Sequence, residues 1–248
     1  MNNSIGFKGT DKEFKCRGFQ YSLNKKYIHQ GEINLCKSGF HFCRKIKDVF
    51  EYYPLAKSRF FIINYNSESY KTDGNKSVTN EIEFIEEITE RNILGILEKY
   101  NCNNDDFLIF SIRKNYSLEI VKFLVDSGAN IQTSNNFALK WSSLNGQLEV
   151  VKFLVEKGAD VQAGDNYALK YASGKGYLEI VKLLVNSGAN MNSKNNYALR
   201  WASMNGFLEV VKFLVESKVN LQDDHNSSLK YAFQNGHTEI VNFLIEKG

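Results

Sequence analysis

LEVVKFLV, residues Leu148 to Val155, decides the fold because the chain says it five times. It reads LEIVKFLV from Leu118, LEIVKLLV from Leu178, LEVVKFLV from Leu208 and TEIVNFLI from Thr238. The starts lie 30 residues apart throughout, with no insertion or deletion. Self-similarity at a fixed period of this size means a stacked array of like units. Leu148, Val151, Leu154 and Val155 fall on one helical stripe, with Glu149, Lys152 and Glu156 off it. A stripe two turns long cannot bury itself alone, and the next copy supplies the missing neighbour.

Working outward from the phrase, each unit has a first helix, a tight turn and a second helix. In the unit from Tyr167 to Asn196, a first helix begins over Ala168 to Ser173 and Gly174-Lys175-Gly176 ends it. Leu178 to Asn186 is the second helix. Gly128, Gly158 and Gly188 follow second helices where a left-handed residue terminates them. Lys218-Val219 stands where other units have Gly-Ala, a poorer terminus. Asn136, Asn166, Asn196 and Asn226 precede first helices, where a side-chain oxygen can accept the unpaired amides of the first turn. The last unit carries Ser227, Ser228, His237, Thr238 and Asn242, which reads as a partly polar end cap, with apolar Phe243 and Ile245 beside it.

The strings NGQLEVVKFLVEKGADV, GKGYLEIVKLLVNSGANM and NGFLEVVKFLVESKVNL resemble the second half of the ankyrin repeat. The first half departs from it: Phe137-Ala138-Leu139-Lys140, Tyr167-Ala168-Leu169-Lys170, Tyr197-Ala198-Leu199-Arg200 and Ser227-Ser228-Leu229-Lys230 replace the family's T-P-L-H. The unit is three residues shorter than the family's, all from the projecting hairpin, so the resemblance implies stubbier fingers. Similar 30-residue units fill many ankyrin proteins of giant viruses. The fold expected is an α-solenoid of such units over 107–248 (107–136, 137–166, 167–196, 197–226, 227–248), behind a small α+β domain over 1–85 and a capping or linker helix over 86–106.

That N-terminal segment has a different texture. Aromatic and β-branched bursts (Phe14, Phe19-Gln20-Tyr21, Tyr27-Ile28, Ile33-Asn34-Leu35, Phe40-His41-Phe42, Arg59 to Tyr65) alternate with turn signals. They read as short strands, with a helix over Ile46 to Tyr53, a last strand over Glu81 to Ile85 and then a helix from Ile85 to Tyr100. From KGTDKEFKCRGFQY through CKSGFHFC and DVFEYY to DGNKSVTNEIEFIEEIT the segment resembles an uncharacterised domain at the start of some phage and giant-virus proteins. That resemblance implies a domain boundary and no activity.

Composition narrows the function classes. Hydrophobic residues at 43% and charged residues at 24% suit a folded globular chain. No run is long enough to span a bilayer and residues 1 to 20 lack an apolar signal core. A formal charge of +3 gives no argument for nucleic acid. Cys16, Cys36, Cys43 and Cys102 fit reduced thiols, so a cytoplasmic, monomeric protein is expected.

Three chemical readings of residues 1–85 stand beside a purely structural one. His29, Cys36, His41 and Cys43, with Cys16, supply zinc-ligand types without the paired knuckle spacing. Lys8-Gly9 and Gly39-Phe40-His41 are faintly similar to strand motifs of ADP-ribosyltransferases, which would make His41 a ribose contact and Glu83 catalytic. Lys8, Lys12, Lys15, Arg17, Lys25 and Lys26 form a basic cluster for an acidic partner or a phosphate, or a solvated face.

In the array, Lys140, Lys170, Arg200 and Lys230 recur beside Trp141, Tyr171, Trp201 and Tyr231. Stacking puts successive members about 10 Å apart. They read either as a cationic, aromatic groove for a partner or as rings filling the space between units with snorkelling cations. Leu144-Asn145, Gly174-Lys175, Met204-Asn205 and Gln234-Asn235 vary most between units, which suits a binding surface, with Leu144 and Met204 exposed on it. The candidate partner-binding residues are thus Lys140, Trp141, Leu144, Asn145, Lys170, Tyr171, Lys175, Arg200, Trp201, Met204, Asn205 and Lys230. Glu119/149/179/209/239 and Lys122/152/182/212, three apart, read as a solvated ion-pair ladder. No nucleophile–base pair, metal cluster or phosphate-binding loop occurs in the array. The expectation is a non-enzymatic scaffold that takes a host or viral protein on its concave face, without cofactor, metal, nucleic acid or membrane. The alternative is an N-terminal enzyme or zinc module targeted by the repeats.

Overall fold

The aromatic bursts of the N-terminal segment become strands of antiparallel sheets. In this computed structural model the described residues are 3–34, 39–53, 58–220 and 227–247. They divide into two units, Met1–Ile120 and Val121–Gly248, the division falling inside the first copy of the repeated phrase.

In the first unit, β1 (Asn3–Asp11), β6 (Ser58–Asn66), β9 (Glu81–Glu87) and β4 (Lys26–Ile28) form one sheet in that order. A second sheet runs β5 (Phe40–Phe42), β8 (Lys76–Thr79), β7 (Tyr70–Asp73), and β2 (Lys15–Cys16) pairs with β3 (Phe19–Gln20). Strand β6 is buried without a break from Phe60 to Ile63, as a central strand covered on both faces must be. Side chains alternate across it. Phe61 and Ile63 join Phe14, Tyr21, Tyr27 and Phe84 in one aromatic cluster, with Phe14 stacked on Phe61 at 4.2 Å between centroids. Phe60 turns the other way and meets Phe110 edge-on at 5.8 Å, as Phe7 meets Phe107 at 6.1 Å. Those two partners lie on α2 (Asn104–Arg113), so the helix that opens the repeats is part of this unit's core.

Two sequence expectations are corrected here, and one strand appears that the sequence did not announce. The helix over Ile46 to Tyr53 is a 3₁₀ helix, Ile46–Glu51. The segment after Ile85 stays extended to Glu87 because the Ile88 amide still donates to the Phe60 carbonyl, 2.8 Å; α1 (Ile93–Tyr100) starts later. Strand β1 carries no burst of aromatics because its glycines make room for rings from elsewhere. A Cβ on Gly6 would lie 2.6 Å from the Phe42 ring and one on Gly9 2.4 Å from that of Tyr53. Leu35 and Cys36 lie outside the described residues.

The second unit is two rows of helices, entered through α3 (Leu118–Asp126). First helices α4 (Thr133–Leu144), α6 (Ala163–Gly174), α8 (Ser193–Met204) and α10 (Ser227–Gln234) pack in series. Second helices α5 (Leu148–Glu156), α7 (Leu178–Asn186), α9 (Leu208–Glu216) and α11 (Thr238–Lys247) form the other row. Leu139, Leu169 and Leu199 are buried between them, with Val151, Val181 and Val211 and Leu154, Leu184 and Leu214. Leu229 is only half-buried, and Phe233 and Ile245 are exposed on the last pair. Lys182 pairs with Glu179 and Lys212 with Glu209 on the exposed side of their own helices.

The asparagines before the first helices do not cap them. Asn136, Asn166 and Asn196 are buried at φ 53°, 61° and 58°, left-handed backbone that asparagine tolerates better than most residues. Their side chains reach into the following unit, 24 residues on. The Asp160 amide donates to Asn136 Oδ1 at 2.9 Å and the Asn190 amide to Asn166 Oδ1 at 2.6 Å. Asn196 turns its amide round and donates from Nδ2 to the Asn220 carbonyl. Asn226 lies outside the described residues. Among the described residues of the array no strand forms; left-handed turns at 134–136 and 164–166 stand where the projecting hairpins would be.

The pin is testable. Asn166→Ala should lower the unfolding free energy by about 2–4 kcal/mol, from an unsatisfied buried amide plus left-handed strain. Asn166→Gly relieves the strain alone and should fall between Ala and wild type. Urea unfolding of the full chain measures both; an unchanged midpoint for the alanine variant would remove the pin from the stabilising interactions.

Candidate functional site

The first helices present the recurrent stripe 137/140/141/144 and its counterparts 30 and 60 residues on, an i, i+3, i+4, i+7 pattern that forms one helix face. Phe137, Trp141, Tyr167, Tyr171, Tyr197 and Trp201 on it are all half-buried. Within a helix, Phe137 packs against Trp141 at 5.5 Å and Tyr167 against Tyr171 at 6.0 Å. Across the junction Tyr171 meets Trp201 edge-on at 5.9 Å. The rings therefore fill the step between units, as one of the two readings of them held.

The cations lie over those rings. Lys140 Nζ is 5.0 Å from the Tyr167 centroid and 5.6 Å from that of Tyr171, both in the next unit. Lys170 Nζ is 4.4 Å from Trp201 and 5.0 Å from Tyr197 ahead of it, and also within reach of Tyr167 and Tyr171 on its own helix. The Arg200 guanidinium spans Tyr197 and Tyr231. Each contact of this kind contributes on the order of 0.5–2 kcal/mol. Burial pulls the Lys170 ammonium below its ordinary range, and the like charges of Lys140 and Lys194 add to it. Sequence reasoning placed cations and rings side by side; it missed that Phe137, Tyr167 and Tyr197 complete the cage, although an aromatic every 30 residues was visible.

The remaining candidates sit at the turn end of the same helices. Leu144 and Met204 are half-buried where exposure was expected, because the next unit leans on them. Gly174, at the same position, lies under the Trp201 indole: a Cβ there would be 2.7 Å from Cε3. The smallest residue of the three thus stands where the next unit brings the largest ring, Trp201, whereas Leu144 and Met204 precede units with tyrosine there, Tyr171 and Tyr231. Asn205 donates from Nδ2 to the Trp201 carbonyl, 2.8 Å, and the Asn145 amide to that of Trp141, 2.9 Å. Lys175, Asn205 and Lys230 are exposed. Sequence reasoning did not find a second set of plugs. Tyr177, Phe207 and His237 each cover the preceding turn glycine, Gly146, Gly176 and Gly206, all at positive φ.

In the first unit, Lys8, Cys16, Arg17, His29, His41 and Cys43 line a single cavity of about 970 Å³. Glu83 is not among its walls; it sits on β9 opposite Lys26 and Asn64, so the constellation of the transferase resemblance is not assembled around His41. Among the described residues no three His, Cys, Asp or Glu side chains converge as metal ligands would, and Cys36 lies outside them. Of the basic cluster, Lys8, Lys15 and Arg17 reach the cavity; Lys12, Lys25 and Lys26 are not among its walls. Burial, then Lys76, Lys8 and Arg17, push the His41 imidazole down to about 4.

The fit between Trp201 and Gly174 makes a prediction against propensity. Gly174→Ala would gain about 1 kcal/mol of helix propensity, yet overpacking against the indole should make the variant about 1–2 kcal/mol less stable than wild type. Adding Trp201→Tyr should recover part of the loss. A gain in stability for the single variant, by thermal or urea unfolding, would show that the ring yields freely.

Comparison with known families bears on both units. A profile described as Ankyrin repeats (3 copies) matches residues 79–165 and again 167–248. Another, Domain of unknown function (DUF7666), matches residues 4–96. No curated protein matches the chain. No described helix is long and apolar enough to cross a membrane. With matches over more than half its length and paired helices packed in series behind them, the chain belongs to the ankyrin-repeat family.

Proposed function

We propose that the chain is a non-enzymatic scaffold whose α-solenoid takes an acidic segment of a partner protein along the face of its first helices. Ankyrin repeats are in general protein-interaction modules, which supports the class of function. The observation that carries the finer reading is the column Lys140, Lys170, Arg200 and Lys230. It runs through successive units, and among the described residues no carboxylate pairs with Lys140 or Lys170. The rings beneath hold these cations in place, so a partner carboxylate meets charges whose side-chain entropy is already reduced.

The first helices also pack against one another more extensively than the second helices do, which favours curvature with the cationic column on the inner side. Trp141, Tyr171 and Trp201 offer half-exposed ring area between the charges, the composition of interface hot spots. Leu144, Asn145, Lys175, Met204 and Asn205 form the rim at the turn end. Free thiols at Cys16 and Cys102 favour a reducing compartment such as the cytoplasm. The partner in this reading is a host or viral protein, and the scaffold acts as a monomer.

Fluorescence-polarisation titration of the full chain with extended peptides of acidic, neutral and basic composition tests this. Acidic peptides should bind, with affinity falling as salt rises. Lys140→Glu, Lys170→Glu and Arg200→Glu together should weaken binding at least about tenfold while helical circular dichroism is retained. Lys122→Glu with Lys152→Glu, on exposed positions of the second helices, should change little. Equal binding of neutral peptides, or an unaffected triple variant, would sink the reading.

A further inference from the structure

The cavity of the first unit contains a feature that the scaffold reading does not use: a lysine buried inside it. Lys8 is 2% exposed yet lies on the cavity wall. It is on β1 directly opposite Phe61, so its side chain enters on the aromatic side of the sheet. Its ammonium donates one hydrogen bond, to the His41 carbonyl at 2.5 Å, and lies 5.8 Å from the Tyr21 ring centroid. An ammonium has three donors and no acceptor. No carboxylate pairs with it among the described residues. Burying a cation in this way is costly unless something anionic completes it.

The other charges around the cavity point the same way. Arg17 and Lys76 join Lys8 on the walls, with Lys15, whose ammonium pairs with Glu13, and the lining holds a single carboxylate, Asp11. That carboxylate is already engaged: Oδ1 accepts the Glu13 and Lys15 amides at 3.0 and 2.7 Å, closing the turn after β1. Aromatic rings make up much of the remaining lining: Tyr21, Phe40, Phe42 and Tyr53, with Phe19 and Tyr52 partly exposed to solvent. A concave, mostly apolar cavity with a few convergent polar groups is the general form of a small-molecule site, and about 970 Å³ is at the upper end of the usual range.

We infer that this cavity binds a free mononucleotide, its phosphate on Lys8 with Arg17 and Lys76 at the rim, its base between the aromatic walls. Cations supply charge-assisted bonds to phosphate oxygens, and aromatic faces accept any base by stacking. Burial pulls the Lys8 ammonium below its ordinary range, and an arriving phosphate restores the charged form. The inference is independent of what the array binds, since every lining residue lies in the first unit.

Calorimetric titration of the full chain tests it with AMP, ADP, adenosine, inorganic phosphate and a 5′-phosphorylated tetranucleotide. AMP or ADP should bind saturably, at least about tenfold tighter than adenosine or phosphate alone, because only they satisfy both halves of the cavity. Lys8→Met should weaken AMP at least about tenfold while its melting temperature is unchanged or higher, since it removes a buried charge. Should that variant fail to fold, Arg17→Ala and Lys76→Ala at the rim should each weaken AMP about threefold. Absence of saturable AMP or ADP binding, or affinity indifferent to all three substitutions, would overturn the assignment. Tighter binding of the tetranucleotide than of AMP would overturn the free nucleotide as its ligand.

Discussion

The array depends on a buried asparagine held in left-handed backbone at the start of α4, α6 and α8. Helix stripes alone would let neighbouring units slide or rotate, because apolar contacts are non-directional. The amide of Asn136 or Asn166 instead meets one particular backbone group 24 residues ahead, at 2.9 and 2.6 Å. That group is itself positioned by a local turn, since the side chains of Asp160 and Asn190 accept the amides of Gln162 and Asn192. The spacing between units is thereby tied to backbone geometry. The apolar columns then bury themselves in a register already chosen.

On that frame the aromatic rings work as spacers between units. Trp201 over Gly174, Tyr177 over Gly146 and Phe207 over Gly176 are each a large group seated where a side chain is missing. Gly236, the last turn glycine, has nothing within 4 Å, and Phe233 and Ile245 near it are exposed for the same reason. No further unit covers them among the described residues. The cations over the rings gain a fixed position from packing, so the step between units carries positive charge as well as ring area.

The first unit solves a different problem with the same means. Its small sheets bury aromatic residues on both faces of β6, and the closeness of rings to β1 is possible only because Gly6 and Gly9 lack side chains. Lys8 stands between those glycines, and its alternation on the strand carries it to the side where Phe61 and Tyr21 lie. A strand edge that admits rings from Phe42 and Tyr53 therefore also delivers an ammonium into a cavity. The thiol of Cys16 and the hydroxyl of Tyr53, 3.4 Å apart, close another wall of it.

Much of the array was legible in the residues alone. The 30-residue period, the helix pair, the turn glycines and the buried Leu139 column all follow from spacing within one segment, because burial on one helix face recurs at i, i+3 and i+4. The aromatic bursts likewise marked β4, β5 and β6. Contacts between segments were not legible. Asn166 reads as a cap from its neighbours in sequence, yet its φ of 61° turns it to the next unit. Gly174 reads as surface variation until Trp201 is seen above it, and Lys8 as one of many basic residues until β1 is paired with β6. Local pattern determines which residues are buried. Only the tertiary structure decides against what, because the partner lies tens of residues away and its identity leaves no period in the chain.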